Sequence, residues 1–158
     1  MGNLNYRNYT GPIEDYFFSF EYHVVDHCNL NCAGCAHAAP LADVVFRTPE
    51  AFEHDCRLLS KFITHAGIQI LGGEPLLHPQ LLDFCKIADK YFERVEVITN
   101  GILLPKLSRS FIDDFNNSGF TMRLSDYPIP NQDEIVKFFN ENFNNTIYYK
   151  KDNMQSPI

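Results

Sequence analysis

The sequence predicts an α/β chain, a parallel sheet built from about five successive βα units. Three observations carry this. Short runs rich in Val, Ile, Phe and Tyr alternate with longer runs of helical period. Each strand-like run leads through a loop into a helix, the order that a parallel sheet requires. Along every strand, residues of one parity are apolar and many of the other parity are polar, as for a sheet with helices on one face and a cavity on the other.

The first strand is read over 17–26, from Phe17 to Asp26, and runs into a cysteine-bearing loop. A helix follows with Thr48 as N-cap and Pro49 at its first position, and is expected to run to Gly67. The second strand spans 67–71. Gly72-Gly73-Glu74-Pro75 then turns the chain toward a helix over about 79–92. Strand three covers Arg94 to Ile98 and is closed by Thr99-Asn100-Gly101. Helix three spans 108–117 and Gly119 breaks it; strand four spans 120–125. After the Pro128 and Pro130 loop, helix four spans 132–142 and strand five 145–150.

Strand alternation separates two faces. Phe18, Phe20, Tyr22, Val24, Ile68, Ile70, Val95, Val97, Met122 and Leu124 share the apolar one, which is expected to meet the helices. The other carries Glu21, His23, Gln69, Glu96, Arg123 and Ser125. Ordinary eight-stranded barrels fill their interior with Val, Ile and Leu, so a polar interior implies a cavity. The same parity puts Gly73, Asn100 and Ser125 at the C-terminal strand ends, the rim where parallel α/β folds hold ligands.

A chain of 158 residues, 45% of them hydrophobic, suffices for one domain with a real core. Residues 1–16 read as an N-terminal extension and 17–158 as the core domain, incomplete at its C-terminus. Thirteen Lys and Arg against 20 Asp and Glu give a net charge of −7, and no basic run appears, which argues against a nucleic-acid partner. The N-terminus lacks the zones of a secretory signal, and Tyr6 stands where a myristoylation signal has Ser or Thr. No stretch approaches the ~18 consecutive apolar residues of a membrane span, so the expectation is a cytoplasmic protein without a membrane partner.

Five cysteines are an odd number for a disulfide framework. Cys56, with Phe52, Leu59 and Ile63, and Cys85, with Leu81, Ala88 and Phe92, fall on helical stripes and read as small core residues. Cys28, Cys32 and Cys35 are different: three thiolates on one tight loop can hold an iron-sulfur cluster and leave one iron without a protein ligand. A structural site closes its shell with four protein ligands, whereas a catalytic metal keeps a position open.

The spacing of Cys28, Cys32 and Cys35 after the first strand resembles the radical S-adenosylmethionine (radical SAM) superfamily, whose signature is C-x3-C-x2-C in the loop after the first strand of a partial (βα)6 barrel. The resemblance extends to Gly72-Gly73-Glu74-Pro75, to Thr99-Asn100-Gly101 and to Ser125, and so covers about 17–130. It implies that the three cysteines are the metal ligands and catalytic centre, binding a 4Fe-4S cluster whose remaining iron is chelated by S-adenosylmethionine. Gly72, Gly73 and Glu74 would hold the methionyl amine, and Asn100 and Ser125 would contact the carboxylate or ribose. The implied reaction is reductive cleavage of S-adenosylmethionine to a 5′-deoxyadenosyl radical that abstracts hydrogen from a substrate these residues do not specify. An external one-electron donor such as a flavodoxin or ferredoxin is the implied partner.

Two departures stand out. Gly34 occupies the place where most members have an aromatic residue before the third cysteine, which alters the expected adenine packing. Six βα units need roughly 200 residues at about 30 or more per unit, so the chain reads as a fragment or truncated product. Two rival readings follow: a non-catalytic module that binds the cluster or S-adenosylmethionine, and a Cys3His zinc site completed by His37 or His27. His54, His65 and His78 read as surface or packing residues, whereas His23, sharing the inward face with Glu21, is a candidate substrate-side group. The aromatics of the last third, Phe115, Phe120, Phe138, Phe139, Phe143, Tyr148 and Tyr149, read as core packing, some of it uncovered and prone to self-association if the chain is truncated.

Overall fold

Five parallel strands form one sheet in chain order: β1 (Phe18–Val25), β2 (Ala66–Gly72), β3 (Arg94–Thr99), β4 (Thr121–Ser125) and β5 (Thr146–Tyr149). Four helices alternate with them: α1 (Pro49–Leu59), α2 (Leu81–Ala88), α3 (Arg109–Asn117) and α4 (Gln132–Asn142). This computed structural model describes residues 18–61 and 66–149. The strand order never reverses, so each crossover advances the sheet by one strand in one direction, the winding of a barrel rather than of a doubly wound sheet.

Local chemistry explains the helix starts. Thr48 Oγ1 accepts the Ala51 N–H at 3.3 Å, and Pro49, which has no N–H, takes the first helical position of α1. Ser108 Oγ likewise accepts the Phe111 N–H at 3.1 Å to open α3. The second helix is shorter than the 79–92 expected from sequence. Residues Pro75–Leu77 form a 3-10 turn, and His78 Nδ1 accepts the Gln80 N–H at 3.0 Å, which delays the start to Leu81. Asp89 to Phe92 leave the helix in a turn that still buries Phe92.

The apolar parity is the core face. Val24, Ile68, Ile70, Val95, Val97, Met122 and Leu124 are buried with Phe52, Cys56, Phe84 and Cys85 of α1 and α2 and with Ile112, Phe115, Ile135 and Phe139 of α3 and α4. Burying a large aliphatic or aromatic side chain contributes roughly 1.5–3 kcal/mol, and this layer holds the helices on the sheet. Cys56 and Cys85 are fully buried, and burial pushes the Cys56 thiol up to about 12 and the Cys85 thiol higher still. Of the aromatics in the last third, Phe115, Phe120, Phe139 and Phe143 are core, with ring contacts of 5.5 Å from Phe115 to Phe120 and 5.8 Å to Phe143. Tyr148 and Tyr149 on β5 are exposed.

The opposite face stacks in layers. Glu21, Gln69, Glu96 and Thr121 are in register across the first four strands, and the Arg123 Nη1 reaches down to Glu96 Oε1 at 2.9 Å. The first-strand start at Phe17, the extension 1–16, Ile63, His65 and the chain from Lys150 onward lie outside the described residues, as does the side chain of Phe18. Among the described residues, no helix is long and apolar enough to cross a membrane.

Candidate functional site

The C-terminal ends of β1 to β5 surround a cavity of about 190 Å³. Cys28, Cys32 and Cys35 line it from the loop after β1, Gly72, Gly73 and Glu74 from the end of β2, Asn100 from the end of β3, and Ser125 and Tyr127 from the end of β4. The eight residues named from the sequence as cluster and cofactor candidates therefore meet at one place. Glu21, Arg123 and Tyr149 line the same cavity, so the polar parity of the strands does face it.

The cysteine loop is pinned at its base by a strap. Phe46 bridges antiparallel to Val25, the Arg47 N–H donates to Val24 O at 2.9 Å, and the Asp26 N–H donates to Val45 O at 3.1 Å. Phe46 packs edge-on between His27 and His78, at ring distances of 5.1 and 5.3 Å. His78 Nε2 donates to Arg47 O at 2.9 Å, so this buried histidine is a packing residue that ties the strap to the turn after β2.

The glycine pair has a nearer reason than a ligand. The Gly73 N–H donates to Val25 O at 2.9 Å and the Glu74 N–H to His27 O at 3.1 Å, so the chain after β2 lies directly against the chain leaving β1. A Cβ on Gly72 would collide with Val25 O, and one on Gly73 with His27 O and, at 2.7 Å, with Cys28 N. The two glycines therefore let the Gly-Gly-Glu turn dock on the cysteine loop itself.

Glu74 braces this junction. It is 1% exposed, and its Oε1 accepts the Thr99 hydroxyl at 2.7 Å and the Leu76 N–H at 3.0 Å, while Oε2 accepts the Asn100 N–H at 2.9 Å. Burial pushes its carboxyl up to about 7, against the pull of those three donors. The carboxylate, read from the sequence as an acceptor for an ammonium group, is thus already engaged by three donors of its own chain.

Asn100 is buried and joins the two loops: its Nδ2 donates to Asn29 Oδ1 at 2.7 Å and lies 3.7 Å from Cys28 Sγ. Burial raises the Cys28 thiol, with the Leu30 N–H at 3.4 Å from its sulfur working in the other direction. Tyr127 is pushed up to about 12 by burial first and by its nearness to Cys32, Cys28 and Cys35 next. Sequence reasoning missed Tyr127; its signal was a ring two residues beyond Ser125 on the same rim. His23 packs edge-on against His37 at 4.6 Å instead of lining the cavity, and burial lowers its pKa.

Cys28, Cys32 and Cys35 bring three thiols to one cavity, a donor set that iron-sulfur clusters and zinc both accept.

The radical SAM superfamily model matches residues 22–142, well over half of the chain. The chain belongs to the radical SAM superfamily. It is 35% identical over 102 residues to the GTP 3′,8-cyclase of Helicobacter pylori, covering 61% of this chain and 30% of that protein. It is 28% identical over 118 residues to a probable GTP 3′,8-cyclase of Pyrococcus horikoshii, covering 70% of this chain and 38% of that one. This radical SAM chain thus spans well under half the length of the curated relatives it matches. Among solved structures, Streptococcus suis SuiB bound to its precursor peptide SuiA superposes with a TM-score of 0.69 at 18% identity, covering 89% of this chain and 34% of SuiB. BtrN in complex with AdoMet and 2-DOIA gives 0.66 at 18% identity, covering 85% and 57%. At these identities the structural likeness shows a shared fold, the radical SAM partial barrel.

Proposed function

We propose that the chain is the cluster- and S-adenosylmethionine-binding part of a radical SAM enzyme, with Cys28, Cys32 and Cys35 as the ligands of a 4Fe-4S cluster. The observation that carries this is the convergence of three thiols, a glycine turn and two polar strand ends on one cavity in a chain of this superfamily. Held there, a reduced 4Fe-4S cluster with S-adenosylmethionine would supply one-electron reductive cleavage of the sulfonium, the radical chemistry for hydrogen abstraction from a substrate.

The chain's own residues hold and shape the site. The strap 44–48 and the Gly72-Gly73 crossing fix where the cysteine loop leaves the sheet. Gly72, Gly73 and Glu74 supply the wall for the methionyl end, with Glu74 setting the spacing between the turns after β2 and β3. Asn100 and Ser125 would contact the carboxylate or ribose from the ends of β3 and β4. Glu21 and Arg123 give the cavity a charged floor, which favours a polar substrate over an apolar one. A flavodoxin or ferredoxin fits the need for an external electron donor.

The test is anaerobic reconstitution with iron and sulfide, followed by reduction in the presence of S-adenosylmethionine. Four irons per chain, lost on replacing any of the three cysteines, with release of 5′-deoxyadenosine support the proposal. Stoichiometric zinc without iron overturns it. A second reading is a module that binds cluster and S-adenosylmethionine without cleaving it. Tight binding with no 5′-deoxyadenosine distinguishes that reading.

A further inference from the structure

Asn100 touches both a candidate ligand, Cys28, and the loop carrying it, through Asn29. The direction of its carboxamide is set internally: Oδ1 accepts the Ile102 N–H at 3.0 Å, so the NH2 end must be the end that faces the cysteine loop. Its backbone is fixed as well, because the Asn100 N–H donates to the buried Glu74 Oε2 at 2.9 Å. One of the two N–H bonds is taken by Asn29 Oδ1 at 2.7 Å; the other is left for Cys28 Sγ, 3.7 Å away. The Cys28 thiol in turn leans toward Asn29 Oδ1 at 3.7 Å, an interaction that exists only while the sulfur carries its proton.

We propose that Asn100 is a positioning residue that acts through Cys28, donating to its thiolate in the cluster-bound protein and so making the cluster easier to reduce. This rests on the cluster assignment above. Once Cys28 is a thiolate, its sulfur is an acceptor only, flanked by the Leu30 N–H and the Asn100 amide. Donors to a cluster sulfur stabilise the added negative charge of the reduced state, and a charge-assisted hydrogen bond in a buried setting is stronger than a neutral one. Asn100 itself is 5% exposed. The asymmetry is specific: no corresponding side-chain donor to Cys35 is seen among the described residues.

The experiment is an EPR-monitored redox titration of the reconstituted full chain, comparing wild type with Asn100→Leu, Asn100→Asp and Asn29→Ala. Asn100→Leu removes both N–H donors at similar volume; Asn100→Asp keeps the acceptor for the Ile102 N–H and loses the donor. Asn29→Ala removes the loop contact and leaves the Cys28 donor, so it reports loop anchoring alone. At the wild-type midpoint, the ratio of reduced to oxidised cluster is expected to fall about tenfold in Asn100→Leu and Asn100→Asp, a shift of about 59 mV for one electron. Asn29→Ala is expected to stay at the wild-type ratio. An unchanged ratio in both Asn100 variants at full iron content overturns the proposal, as does an equal fall in Asn29→Ala. Folded Asn100 variants that take up no cluster also overturn it, since a tuning residue is dispensable for assembly. A wild-type chain that takes up no cluster sinks both this proposal and the one it rests on, whereas 5′-deoxyadenosine release with unchanged potentials sinks this one alone.

Discussion

The Thr99 hydroxyl donates to Glu74 Oε1 at 2.7 Å, linking the end of β3 to the turn after β2 through a fully buried carboxylate. With the Asn100 N–H on the other oxygen, Glu74 makes the two turns one rigid wall of the cavity. An unpaired buried carboxylate would be untenable, and the three donors around it are why this one is tolerated.

Stability should fall with rising pH because of Glu74. Its carboxyl is raised from 4.5 to about 7 in the fold, so between those values the folded chain binds more protons than the unfolded one. Its contribution is fully present below the unfolded value and is lost as pH rises through about 7, on the order of 3 kcal/mol over the window. Urea unfolding of wild type and Glu74→Gln from pH 5 to pH 8 checks this. The variant should lose that part of the pH slope, and an identical slope in both would refute the assignment.

Gly73→Ala is expected to cost about 1–3 kcal/mol and to abolish cluster uptake, because the added methyl meets His27 O and the cysteine loop must shift. Gly34→Ala, on the same loop, meets nothing within 4 Å and should load iron like wild type. Thermal melts and iron content of the two variants decide the matter; equal loading would show that the crossing is not needed.

Cysteine substitutions should split into two classes. Cys85→Ser places a hydroxyl in a fully buried apolar site and is expected to lose about 1–3 kcal/mol of stability while keeping iron. Cys32→Ser, at the cavity, should lose iron at little cost in stability. Denaturation midpoints beside iron analysis read both, and iron retained by Cys32→Ser would remove it from the ligand set.

Arg123→Leu leaves the Glu96 carboxylate, 5% exposed, without its ion-pair partner and is expected to destabilise the fold by about 3–5 kcal/mol. Glu96→Gln combined with Arg123→Leu should recover most of that, because no buried charge is then uncompensated. A double variant as unstable as the sum of the singles would show that the pair does not interact.

Much of this was legible in the sequence because the signals are local. Helix α4 begins and ends where its 3.6-residue period and flanking residues place it, at Gln132 and Asn142. The strand parities separated Val97 from Glu96 and Leu124 from Arg123 without any knowledge of the partners. The end of α2 was less legible, because Phe92 keeps the helical stripe although the chain has already turned to enter β3. Tyr127 carried no period at all and gained its place only from the cavity around it.

The sequence by itself determined the order of βα units, the inward polar face and the cysteine triplet, since side-chain alternation, capping and ligand spacing are relations among residues a few positions apart. Tertiary structure decided what the other site residues do. Gly72 and Gly73 serve a crossing with Val25 and His27, Glu74 braces Thr99 and Asn100, and Asn100 turns its amide to Cys28. Those pairings join residues about 25 to 72 positions apart, at distances fixed only when the strands stand side by side, and no local pattern encodes them.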